Sequence, residues 1–173
     1  MTIIIIVILI MVTLVLFAWG ASNIISVLFG APPIMIESAT LCKILEFAKL
    51  KKGERFIDLG CGDGRAVLMA QKEFGAKSTG VEISPFYWIV AKLRNRGGNT
   101  QIKFGNFKNV DLKKFDLIYC YLFPKITTSL KYKIAPEAKK GSRIISVGFP
   151  IKGLPDEQIK KIGSKKIYLY RIT

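Results

Sequence analysis

The sequence predicts an α/β fold, a doubly wound, mostly parallel Rossmann-like sheet with a C-terminal antiparallel hairpin, preceded by one N-terminal transmembrane helix. Three observations carry this expectation. From residue 38 onward, short β-rich apolar runs alternate with segments of helical period. A glycine-rich turn, FIDLGCGDGRAV (56–67), closes the first of those runs. Finally, the opening TIIIIVILIMVTLVLFAWGAS (2–22) contains no charged residue at all.

About 20 apolar residues cross a bilayer as a helix. The β-branched isoleucines would make a poor helix in water, but in lipid the backbone must satisfy its own hydrogen bonds. Trp19 suits the membrane interface. A cleaved leader is the rival reading, since Ala18-Trp19-Gly20 is a small-x-small site. No Lys or Arg precedes the apolar run, however, and the run is long for a leader. Residues 1–22 are therefore read as an anchor, 23–36 as an interfacial linker in which Gly30 and Pro32-Pro33 end any helix, and 37–173 as the folded domain. The basic residues all follow the anchor. The positive-inside tendency then places a single-pass protein with its domain in the cytoplasm.

Lys and Arg number 27 against 12 Asp and Glu, and 21 of the 27 are Lys. Nucleic-acid readers favour Arg for bidentate contacts, so no nucleic-acid partner is expected. The excess fits a general Lys and Ile bias of composition or an anionic membrane surface. Three cysteines without a CxxC pair argue against a disulfide framework and a structural zinc site, and the lack of His argues against a catalytic metal.

In order, the domain reads as a helix from Ser38 to Lys49, with Leu41, Ile44, Leu45 and Ala48 on one face, then a strand over 55–59. A helix follows Gly64 and ends at Gly75. Strand KSTGVEI (77–83) leads to helix SPFYWIVAKLRNR (84–96), with Ser84 as its cap and Pro85 at its first position. QIKFGNF (101–107) is a third strand and FDLIYCYLF (115–123) a fourth, buried on both faces. ITTSLKYKIAPEAK (126–139) is helical but interrupted before Pro136. SRIISVGF (142–149) is a fifth strand, and 157–172 a hairpin around Gly163-Ser164.

In such sheets ligands bind beyond the carboxyl ends of the strands, which is where the glycine turn falls. Gly60, Gly62 and Gly64 give GxGxG. The dinucleotide pattern GxGxxG would need glycine at Arg65, and the P-loop pattern is absent. Asp58 and Asp63 would repel a diphosphate, but they would attract a cation. S-adenosylmethionine, with an ammonium, a sulfonium, one carboxylate and no phosphate, fits that combination. Glu82, at the end of the second strand, is placed to accept both ribose hydroxyls. Cys61, Ile83, Asn106 and Phe107 flank the same strand ends and complete the expected cofactor set.

FIDLGCGDGRAV followed by GVEISP (80–85) resembles the class I S-adenosylmethionine-dependent methyltransferases. More narrowly, GDGR (62–65), YLFP (121–124) and SVGFP (146–150) resemble the membrane-anchored protein-lysine methyltransferases, whose mitochondrial members modify the adenine nucleotide translocase and the c-ring protein of ATP synthase. The resemblance covers 31–173. It departs at Asn106, where such enzymes often carry Asp against the adenine amino group, and at PPIMIESA (32–39), where relatives often read Tyr-Val-Pro-Thr.

The resemblance implies a membrane-tethered enzyme, S-adenosylmethionine as cofactor, and a protein substrate with an accessible lysine, itself membrane-associated. Burial against apolar walls lowers a lysine pKa, so no general base is obligatory. Tyr121, Phe123 and Pro124 form the expected catalytic wall, with carbonyls near Leu122 and Phe123 orienting a neutral amine. Plain core packing is the alternative for these residues. Glu37 and Ser38 either reach the cofactor or the substrate, or cap the first helix. A ring from Phe86, Tyr87 or Trp88 either touches adenine or only packs its helix. A lipid or quinone acceptor and a non-catalytic cofactor-binding scaffold remain open beside the lysine reading. An RNA acceptor is disfavoured, because YLFP replaces the Asn-Pro-Pro-aromatic signature of many nucleic-acid amino methylases.

Overall fold

The computed structural model describes residues 1–29, 34–155 and 157–173, with the side chains of 25–29 excluded. The predicted helix stop at Gly30 and Pro32-Pro33 lies outside the described residues. Helix α1 covers Thr2–Phe29. It therefore runs into the segment expected to be linker. Its stretch Thr2–Ile24 is long and apolar enough to cross a bilayer, and its most apolar window is not buried in the protein.

The domain follows as α2 (Ser38–Phe47), β1 (Arg55–Leu59), α3 (Arg65–Lys72), β2 (Lys77–Glu82), α4 (Pro85–Arg94), β3 (Thr100–Phe104), β4 (Leu117–Cys120), α5 (Pro124–Glu137), β5 (Arg143–Val147), β6 (Gln158–Ile162) and β7 (Lys165–Arg171). The sheet order is β3-β2-β1-β4-β5-β7-β6. The first five strands are parallel to one another, and β7 runs antiparallel to both β5 and β6. The expected doubly wound sheet with a terminal hairpin is present.

Alternation along the central strands builds two cores. Phe56, Leu117, Tyr119, Ile145 and Val147 face α2 and α3, where they meet Leu41, Ile44 and Leu45. Ile57, Ile118, Cys120 and Ile144 face α5, which contributes Leu130 and Ile134. Because β1, β4 and β5 are covered on both sides, their side chains are buried nearly throughout. Gly80 permits the close approach of α3 to β2: a Cβ there would stand 2.7 Å from Cys61 Sγ and 2.8 Å from a Val67 methyl.

Several local expectations hold. The Ser84 hydroxyl accepts the Tyr87 amide and Pro85 opens α4. Some boundaries differ. The fourth strand, expected over 115–123, spans only Leu117–Cys120, because Pro124 starts a helix and 121–123 turn into it. Helix α5 begins at Pro124 and passes Pro136 without interruption. Near a helix end a proline removes only one amide, and the Ala138 amide still closes the last turn on the Ile134 carbonyl. The third strand stops at Phe104, and Phe107–Asn109 form a single 3-10 turn.

Candidate functional site

Strand order reverses between β1 and β4, and a cleft of about 940 Å³ lies beyond the carboxyl ends of β1, β2, β3 and β4. Asp58, Gly60, Cys61, Gly62 and Asp63 form its floor. Glu82 and Ile83 form one side, Asn106 and Phe107 the far end, and Tyr119, Tyr121 and Leu122 the opposite side. Of the expected site residues, Gly64, Phe123 and Pro124 are not among its walls. Glu37 and Ser38 are exposed and stand outside it; Glu37 precedes α2 without a side-chain cap bond.

The glycine loop is held in shape by Glu82. One carboxylate oxygen accepts the Gly62 amide at 2.8 Å, and the other accepts the Ser84 amide at 2.8 Å. The carboxylate, which also interacts with the Ile83 amide, still keeps acceptor capacity for a further donor. Gly60, Gly62 and Gly64 all have positive φ (81°, 53° and 75°), a conformation that costs other residues about 1–2 kcal/mol. Gly64 has a packing duty as well. A Cβ on it would lie 2.5 Å from Asn95 Nδ2 and 3.0 Å from the Ala91 methyl, so it seats α3 against α4.

The three acids divide into two kinds. Asp63 is neutralised: Arg65 Nη2 stands 2.7 Å and Arg94 Nη2 3.0 Å from its Oδ2. These partners outweigh burial and hold its carboxyl below the usual range. The expected role in balancing ligand charge thus passes to the other two acids. Asp58 is only 4% exposed and pairs with no cation among the described residues. Burial first, and then the charges of Glu82 and Asp63, push its carboxyl well above the usual range. Burial also raises Glu82, against the lowering effect of its backbone donors. The Cys61 thiol is raised by burial and by Asp58 and Glu82, which makes it a packing group and not a nucleophile.

Asn106 Oδ1 accepts the Lys108 amide at 2.9 Å and so caps the 3-10 turn, leaving one acceptor lone pair and its amide hydrogens. Phe123 caps α5, and its carbonyl accepts from both Ile126 and Thr127 (2.9 and 3.0 Å). That carbonyl is therefore used by the helix and is not free for an amine. The Leu122 carbonyl receives no loop or cap amide among the described residues.

Sequence reasoning missed part of the wall. Ile34, Met35 and Ile36, assigned to the linker, line the cleft. They are tied there by Arg65, whose Nη1 donates to the Ile36 carbonyl at 2.9 Å. Tyr87 is the ring of the Phe86-Tyr87-Trp88 run that reaches the cleft, and Trp88 packs outside on Phe104.

Comparison with known proteins is decisive for the family. The family described as "ANTKMT methyltransferase domain" matches residues 58–158. The chain belongs to the ANTKMT methyltransferase family. One relative is a protein-lysine N-methyltransferase of Saccharolobus islandicus (strain REY15A), 33% identical over 139 residues that cover 75% of this chain and 86% of that one. Another, from Mus musculus, is the lysine N-methyltransferase of the ATP synthase c-subunit, 26% identical over 68% of this chain and 49% of its own length. This ANTKMT-family chain thus spans about half of that vertebrate relative. An RNA methyltransferase of Salinibacter ruber, solved with S-adenosyl-L-homocysteine, shares the fold: TM-score 0.76, 23% identity, covering 80% of this chain and 94% of that one.

As a member of this family the protein is an S-adenosylmethionine-dependent methyltransferase with a class I fold. An unpaired buried carboxylate beside a second one is costly in the absence of a cation. Asp58 and Glu82 therefore suit a positively charged nucleoside and not a nucleotide polyphosphate.

Proposed function

We propose that this chain is a membrane-tethered protein-lysine N-methyltransferase, with residues 1–22 or slightly more as its anchor and the domain from residue 37 as its catalytic unit. The single observation that carries the cofactor half of this reading is the unpaired, buried Asp58 beside Glu82. The lysine half is supported by the names of the relatives, which are lysine N-methyltransferases of proteins, the ATP synthase c-subunit among them. Tethering is supported by the span Thr2–Ile24, and the positive-inside tendency puts the domain in the cytoplasm.

When bound, the cofactor supplies an activated methyl group on a sulfonium. The chain's own residues do the rest. Glu82 accepts the ribose hydroxyls, Asp58 answers the positive charge, and Asn106 with Phe107 and Ile83 borders the adenine. Gly60, Cys61 and Gly62 let the backbone approach, while Gly64 and Asp63 hold the loop. The acceptor amine enters between Tyr121 and the strap 34–36. Apolar surroundings favour its neutral form, and the Tyr121 hydroxyl and the Leu122 carbonyl orient its lone pair. Alignment of this kind supplies most of the rate in a displacement reaction. Phe123 and Pro124 act at one remove, fixing the start of α5 and so the course of 121–122.

The test is transfer of labelled methyl groups from S-adenosylmethionine into native membranes, followed by mass spectrometry. The reading expects label on protein lysine side chains. Label partitioning with lipid or quinone overturns the lysine assignment, and cofactor binding without transfer overturns the enzymatic one.

A further inference from the structure

The outer side of α4 and the neighbouring edge of β3 form a surface that the cleft does not use. Ile89 and Leu93, one turn apart on α4, are 51% and 48% exposed, and Phe104 at the end of β3 is 57% exposed. Trp88 lies among them. Its ring centroid is 5.5 Å from that of Phe104, its indole Nε1 donates to the Ile102 carbonyl at 3.4 Å, and the Lys92 ammonium sits 4.6 Å above it. A grouped apolar surface rimmed by cations marks an interaction site in an otherwise ordinary domain. The charge is one-sided: residues 83–110 contain no Asp or Glu but include Lys92, Arg94, Arg96, Lys103 and Lys108. Of these, Arg94 is committed to Asp63.

The position of this surface follows from α1. Ser22, inside the candidate span, is 4% exposed, and its hydroxyl accepts the Phe86 amide at 3.2 Å. The first turn of α4 therefore stands at the level where the span ends, and Ile89 is one turn farther along. We infer that the α4–β3 face is a second membrane contact, resting on the headgroup layer of an anionic bilayer. Trp88, Ile89, Leu93 and Phe104 enter the acyl boundary, where an amphipathic indole is favoured. Lys92 and Arg96, on and just after α4, meet lipid phosphates. A single helix alone would leave the domain free to swivel. A second contact fixes it, and because Tyr87 on α4 lines the cleft, the same helix sets the cleft's orientation to the membrane.

This inference rests on α1 being an anchor, and the experiment separates the two. The chain contains two tryptophans, Trp19 and Trp88. The full chain is reconstituted into phosphatidylcholine–phosphatidylglycerol vesicles with plain or brominated acyl chains, as the variants Trp19→Phe and Trp88→Phe. Each variant reports one indole. Both are expected to lose emission in brominated vesicles, and the Trp88 loss is expected to shrink in pure phosphatidylcholine or at high salt. Quenching of Trp19 with Trp88 unaffected overturns the second contact while the anchor stands. An unquenched Trp19 overturns the anchor, and the inference falls with it. Equal quenching of Trp88 in neutral and anionic vesicles overturns the headgroup charge assignment.

Discussion

Arg65 bridges two parts of the chain that the sequence keeps far apart: its guanidinium holds Asp63 through Nε and Nη2 and the Ile36 carbonyl through Nη1 at 2.9 Å. One residue thus fastens both the loop under the cofactor and the strap over it. Replacement by Ala leaves the buried Asp63 with only Arg94, which is itself 41% exposed. Loss of a charged hydrogen-bond partner costs about 1–3 kcal/mol. The expected outcome is roughly tenfold or greater weakening of S-adenosylmethionine binding by calorimetry. Arg94→Ala should cost less, since exposed ion pairs contribute about 1 kcal/mol at most.

Asp58 makes binding and stability respond to pH in opposite directions. Its proton is held more tightly in the folded chain than in the unfolded chain. From the unfolded value, about 3.9, up to the raised folded one, the native state binds more protons, so stability falls as pH rises. A cationic ligand favours the carboxylate, so cofactor affinity rises with pH across the same window and binding releases a proton. Asp58→Asn should flatten both trends, apart from the residual slope from Glu82, which burial also raises. It should also raise the melting temperature of the ligand-free chain at neutral pH. Melting curves against pH and calorimetry in buffers of different ionisation enthalpy measure these effects.

Gly62 and Gly64 should respond differently to Ala. At Gly62, with φ 53° and nothing within 4 Å of a new Cβ, only the backbone cost applies, about 1–2 kcal/mol. At Gly64 the methyl group also collides with Asn95 and Ala91, and overpacking adds about 1–3 kcal/mol. Denaturant titration of the two variants should rank them in that order.

Tyr121→Phe removes the hydroxyl beside the amine path and leaves the cofactor walls in place. The expected result is a fall in kcat of about tenfold with an unchanged cofactor Kd, as for an interaction made chiefly during reaction. An equal loss in cofactor binding would return Tyr121 to a packing role.

Deletion of residues 1–30 keeps the strap at 34–36 and should leave cofactor affinity unchanged. Activity on a membrane-embedded protein should fall by about two orders of magnitude, because tethering raises effective concentration. Activity on a short soluble peptide should be preserved.

The sheet was legible because its signals are local: alternation between strands and helices, Ser84-Pro85 at a helix start, Gly163 in a hairpin. The glycine turn and Glu82 were legible for the same reason, since a strand end fixes where its last side chain lies. Asp63 was not. Its fate depends on which way the Arg65 side chain, two residues on, folds back, and on Arg94, which reaches the loop only after α4 packs on α3. The strap was missed because Ile34, Met35 and Ile36 look like any apolar linker until Arg65 is seen to hold one of their carbonyls. At Phe123 the local signal points to the helix: a proline at the first helical position starts one, so the preceding carbonyl is consumed and not released.

The clasp of Glu82 on the Gly62 and Ser84 amides, at 2.8 Å each, means that the socket is finished before the guest arrives. Little main chain has to be frozen on docking, so the entropic toll is met once, during folding. The heat-capacity change on binding should then report the drying of apolar walls alone, and catalytic turnover need not wait for this loop to reassemble.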